Sequence, residues 1–135
     1  MIRYFAAYAA TAAVMVTIDL IWLGVIAKPL YQQGIGHLLS DRPNVPVAVV
    51  FYALFALGLM IFAVIPNEAY GRWGQALLAA ALFGFFAYAT YDLTNLATLQ
   101  NWPLGLSLID MAWGTAVSAV SAAAGKATLS VFATG

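Results

Sequence analysis

Cysteine is absent from the 135 residues and histidine occurs once. Disulfides, thiolate chemistry and Cys-based zinc sites are therefore excluded. Charge is almost as scarce. Lys, Arg, Asp and Glu make up 7% of the chain, against about 25% in soluble domains, too little to cover a globular surface in water. The charge that exists balances, five bases against five acids. No basic stripe is left to neutralise phosphates, which argues against a nucleic-acid partner. His37 has Asp41 four residues on; two ligands do not make a metal site, so none is expected there. With one histidine and no cysteine, a redox role with quinone or haem is the weakest functional reading.

What the chain has in excess is apolar sequence, 64% of its residues. Four segments are long enough to cross a bilayer, which takes about 20 helical residues: Tyr4–Ala27, Val45–Ile65, Trp73–Leu96 and Leu104–Gly125. The first resembles a signal peptide, with Arg3 ahead of an apolar core. That core runs past Val25, longer than a signal core of about 7–15 residues, and contains Asp19, so it reads as a retained span. The expected fold is all-α: one integral membrane domain over residues 1–135, a four-helix bundle in the cell (inner) membrane.

The breaks carry turn chemistry. Pro46 and Pro103 sit where a helix begins and needs no N–H, and Pro66 follows the second span as a stop. The first connection is rougher. Leu30, Tyr31, Ile35, Leu38 and Leu39 alternate with Gln32, Gln33 and His37, a weakly amphipathic pattern that predicts a short interfacial helix between spans 1 and 2. Trp73 and Trp102 mark span ends as interfacial tryptophans do. Arg3, Arg72 and Lys126 fall on one side and Lys28 and Arg42 on the other. The bias favours both termini inside.

Asp41 and Glu68 lie in connections, but Asp19, Asp92 and Asp110 lie inside spans. Asp19 is nine residues before Lys28, Asp92 eight before Gln100, and Asp110 seven after Pro103. Because successive spans run in opposite directions, all three fall about 10–14 Å from the same membrane face, at 1.5 Å of rise per residue. An ionised aspartate facing lipid costs about 2.5–3.5 kcal/mol on insertion scales, so the three are expected to point inward. With only Lys28 and Arg42 near that face, the group is short of positive charge; either a carboxyl keeps its proton or a bound cation makes up the deficit.

Polar neighbours share these helix faces. Tyr88, Asp92 and Asn95 follow i, i+4, i+7 spacing, and Ser107, Asp110, Gly114 and Ser121 fall on one face of the last span. "DLIWLG" at Asp19–Gly24 and "DMAWG" at Asp110–Gly114 both read D-x-x-W, which places Trp22 and Trp113 beside an acid. That arrangement suits the wall of a pocket for a flat or cationic ligand, or a tryptophan satisfied in a packed core. The candidate catalytic residues are Asp92, Asp110 and Asp19; the candidate ligand-binding residues are Tyr88, Asn95, Trp22, Trp113 and Ser107.

"FAYATYDLTNLATLQNWP", the two D-x-x-W motifs, and "GHLLSDRPN" ahead of "FYALFALGLMIFAVIP" resemble a family of small bacterial membrane proteins catalogued as a domain of unknown function. The resemblance implies a four-helix integral membrane protein and assigns no reaction, cofactor or catalytic residue. Three readings of the acids compete: a pocket that binds or acts on a lipid-like small molecule, a proton- or cation-coupled transporter, and a structural or assembly partner in which carboxyls hold the bundle together. A pocket needs a cavity beside the acids, a transporter needs that cavity to reach the other half of the membrane, and a structural role leaves none. Small residues at Gly114, Ser118 and Ala122 are compatible with a homodimer.

Overall fold

The computed structural model describes residues 1–134. Helix α1 spans Ile2–Ile21 and continues as a widened π turn, Trp22–Ile26. The short helix α2, Lys28–Ile35, follows with a 3-10 turn at Gly36–Leu38. Helix α3, Val45–Leu59, runs into a second π turn at Met60–Val64 and a 3-10 turn at Ile65–Asn67. Helices α4, Trp73–Thr98, and α5, Leu104–Thr134, complete the chain. Four helical stretches are long and apolar enough to cross a membrane: Ile2–Ile26, Val45–Asn67, Trp73–Thr98 and Leu104–Ala133. The short helix expected between the first two spans is α2.

Local chemistry sets the boundaries. The side chain of Asn44 accepts from the Val47 amide at 3.2 Å, and Pro46 occupies the first turn of α3, so one orphan donor is satisfied and a missing one is not needed. Between α4 and α5 the chain turns through Asn101 at φ 61°, and at the other face Gly71 adopts φ 81°, the left-handed region that glycine and asparagine tolerate best.

Two features depart from the sequence reading. The π turns have no signature in a uniformly apolar stretch. The last helix does not end near Gly125 but continues through an Ala-, Ser- and Thr-containing tail to Thr134. Lys126, expected as a flanking charge beyond the span, is therefore inside a helix and only 1% exposed. Its Nζ donates to the carbonyls of Asn67 at 2.6 Å and Ala69 at 3.0 Å and lies over the Trp73 ring. These carbonyls sit where the second span ends, where a cation is favoured. On the same face Tyr4 donates to Glu68, which also pairs with Arg3.

Helix α5 is central, packing most extensively on α4 and then on α1. Close approach depends on small residues. Gly84 of α4 lies against Ser118 and the Gly114 carbonyl, Gly114 lies under the Tyr88 ring, and Gly125 lies against Thr11. Gly114, Ser118 and Ala122 are buried between helices of the chain. The outer surface carries Phe5, Val25, Leu54, Phe62, Phe86 and Val120 exposed, as expected where lipid is the solvent.

Candidate functional site

Antiparallel threading brings the two D-x-x-W motifs face to face. The α1 copy runs toward the α2 end of the bundle and the α5 copy runs away from it, so each tryptophan is level with the other motif's aspartate. The Trp22 and Trp113 rings stack with centroids 4.4 Å apart and planes 5° from parallel. Trp113 Nε1 donates directly to Asp19 Oδ1 at 2.9 Å. Trp22 Nε1 donates to the Tyr31 hydroxyl at 3.3 Å, and that hydroxyl donates to Asp110 Oδ1 at 2.5 Å. The sequence similarity is matched by a reciprocal arrangement, one arm direct and the other relayed by α2.

The other oxygen of Asp19 accepts from Tyr52 of α3 at 2.5 Å, so both its oxygens are occupied. Asp92 is 1% exposed and lies beside Asp110, yet among the described residues its Oδ2 has no hydrogen-bond partner. The three acids are thus distributed as a pair, Asp92 with Asp110, and Asp19 in a hydrogen-bond set of its own. Among the described residues, no three His or acidic side chains converge as a metal site.

Beside these groups lies a cavity of about 460 Å³, within the roughly 300–1,000 Å³ typical of small-molecule sites. Its polar lining is Asp19, Asp110 and the tyrosines 31, 52, 88 and 91; the remainder is Leu23, Ala48, Phe51, Phe55 and Ala87. Helix α4 meets α3 mainly through the Met60–Val64 turn, while Val45–Leu59 packs on α1. The α2 end of the α3–α4 seam is therefore loose, and Phe51 and Tyr91, one from each helix, are 43% and 53% exposed at the rim. Rings bridge the deeper end, Phe55 lying edge-on to both Phe83 and Tyr88.

Asp19, Asp110 and Tyr88 reach the cavity; the other sequence candidates lie elsewhere. Asp92 sits beside Asp110 without lining it. Trp22 and Trp113 form the stack and hold the lining groups by hydrogen bonds. Asn95 is half-buried on α4 outside the lining. Ser107 closes the first turn of α5, donating to the Pro103 carbonyl and accepting from Trp102 Nε1, both at 2.9 Å. That is a helix-start role, reached because Trp102 and Pro103 precede it.

Sequence reasoning passed over Tyr31, Tyr52, Phe51, Phe55 and Tyr91. A signal existed for Tyr52. It stands eight residues after Asn44, about 12 Å from the same face by helical rise, the depth already assigned to the acids. Tyr31 counts in the sequence pattern as one apolar residue of an interfacial helix. Burial, and then its bond to Asp110, push the Tyr31 phenol well above the ordinary tyrosine range, so it stays a donor at neutral pH.

No curated protein and no solved structure matches the chain. Residues 4–127 match the family model described as "Predicted membrane protein (DUF2177)". That match takes in the second and third apolar spans whole and most of the first and the last, and the chain belongs to this family of predicted membrane proteins.

Proposed function

We propose that the protein is a membrane-embedded binding protein whose intramembrane carboxylates and phenols take a lipid-like small molecule, admitted from the bilayer between α3 and α4. The observation that carries this reading is the cavity of about 460 Å³ with Asp19 and Asp110 in its wall. Carboxyls serving only as glue between helices would leave no space beside them. The walls are mostly aromatic and aliphatic with a few convergent polar groups, the usual make-up of a small-molecule site. Tyr31 and Asp110, joined at 2.5 Å, are the donor–acceptor pair at this wall through which a proton would pass if the bound molecule reacts.

Transport is the second reading, and the rest of the bundle weighs against it. A coupled path has to continue into the opposite half of the membrane, and such sites usually lie near the midplane. Beyond Asp19 the interior is filled by Met15, Leu59, Met60, Val64, Val117 and Leu129, with Gly84 and Gly125 drawing the helices together.

Native mass spectrometry of the purified protein tests the binding reading, with Ala87→Phe as comparison. Ala87 lines the cavity, and a phenyl group there takes up the ligand's space. A small-molecule adduct on the wild type that is missing from a folded Ala87→Phe protein is the expected result. An adduct equally present on both places the ligand elsewhere.

A further inference from the structure

The cavity's charge and ring chemistry narrow the ligand class, and this inference rests on the pocket reading above. Two of the intramembrane aspartates line the space, and no lysine, arginine or histidine does. The basic groups are all remote or outside the wall. Lys126 is tied to the Asn67 and Ala69 carbonyls at the opposite face, Arg3 to Glu68 and Arg72 to Asn67 at that same face. Lys28, His37 and Arg42 are exposed. Behind the wall, among the described residues, the Oδ2 of buried Asp92 has no hydrogen-bond partner. A phosphate or carboxylate head group would enter a site with no cation to receive it.

The remaining wall is aromatic. Tyr31, Phe51, Tyr52, Phe55, Tyr88 and Tyr91 all border the space. Ring faces attract cations through their quadrupole, and aromatic enclosures are a recurring receptor for quaternary and protonated amines. A compact metal ion is a poor match, because no three acidic or histidine side chains converge among the described residues. The geometry points to an organic cation: an amphiphile with an ammonium head among these rings and near Asp19 and Asp110, its apolar tail leaving between α3 and α4 where Phe51 and Tyr91 form the rim.

The stacked Trp22–Trp113 pair is bonded to the lining groups Asp19 and Tyr31, which provides a local optical reporter. The experiment uses the full chain in an uncharged maltoside detergent, titrated with a chain-brominated alkyltrimethylammonium that quenches tryptophan fluorescence. Alkyl phosphate and alkanol of the same brominated chain are the controls. The expected result is saturable quenching by the ammonium compound at a concentration at least about tenfold below either control, a margin that desolvated cation–π contacts and a carboxylate together supply. Asp110→Asn weakens the ammonium alone. Phe51→Leu, which keeps an apolar side chain at a 43% exposed rim position, weakens it by about threefold or more, and Phe51→Tyr restores it. Saturable binding of the phosphate or the alkanol as tightly as the ammonium overturns the cation inference and leaves the pocket reading standing. No saturable quenching by any of the three, together with no co-purifying adduct, overturns both.

Discussion

Asp19 accepts from Tyr52 and Trp113 with its two oxygens, whereas one oxygen of Asp92 has no partner. The same substitution should therefore act oppositely at the two sites. In Asp19→Asn the amide oxygen can keep the Trp113 N–H while the NH2 donates to the Tyr52 oxygen, so the Tyr52 O–H loses its carboxylate acceptor and both bonds lose their charged partner; the expected loss is about 1–3 kcal/mol. In Asp92→Asn the NH2 can donate to neighbouring Asp110, so stability is unchanged or higher. Thermal unfolding of both variants in the same detergent checks this, and an Asp92→Asn protein less stable than Asp19→Asn would contradict the hydrogen-bond assignment. At this scale the sequence was readable where depth alone decides. Counting helical rise from a shared face put Asp19 and Asp110 at one depth, and both line the same cavity, because an antiparallel bundle preserves depth. It did not separate Ser107 and Asn95 from the lining, because that depends on rotation about the helix axis and on local partners. Ser107 is bonded to Trp102 and Pro103, a contact that stripe counting does not weigh.

Helix rotation is where the sequence says least about this chain. In α3 nearly every side chain is apolar, so no amphipathic period tells which residues face α4, and Phe51, Tyr52 and Phe55 went unnoticed. The π turns add to this. Trp22–Ile26 and Met60–Val64 are each wound more widely than an α-helix, so spacing counted from Asp19 or from Tyr52 loses phase beyond them. Helix contacts made through glycine are more accessible to experiment. A methyl group at Gly84 would collide with the Gly114 carbonyl and with Ser118 Cβ, neither of which a side-chain rotation can move away. Gly105, also in a helix, has open space where a Cβ would go. Gly84→Ala should lower stability by about 1–3 kcal/mol through forced separation of α4 and α5. Gly105→Ala should be neutral or raise it by up to about 1 kcal/mol through helix propensity. Unfolding midpoints of the two variants measured side by side give the comparison, and equal effects would mean that the α4–α5 contact is looser than described.

Across the whole molecule the two membrane halves differ in kind. The half near α2 holds the acids, phenols and open seam; the half near the termini is closed by apolar packing and by Lys126, which joins α5 to the end of the second span. The four spans were evident from composition, since a chain with so little charge has few ways to satisfy its backbone other than helices in lipid, and the short connecting helix from its rough amphipathic pattern. The inward position of Lys126 was not, because a lysine after a long apolar run reads as a flanking charge. The division predicts that stability and binding separate. Lys126→Met keeps the volume and apolar stem of the side chain and removes both hydrogen bonds to the Asn67 and Ala69 carbonyls. Each is a bond from a charged donor, the stronger class, with a typical net contribution of about 1.5–3 kcal/mol, so the unfolding midpoint should fall clearly. The cavity lining contains no residue that touches Lys126, so the adduct seen by native mass spectrometry should persist at the wild-type level under conditions where the variant is folded. Loss of the adduct without loss of stability would join the two halves into a single site and reopen the transport reading.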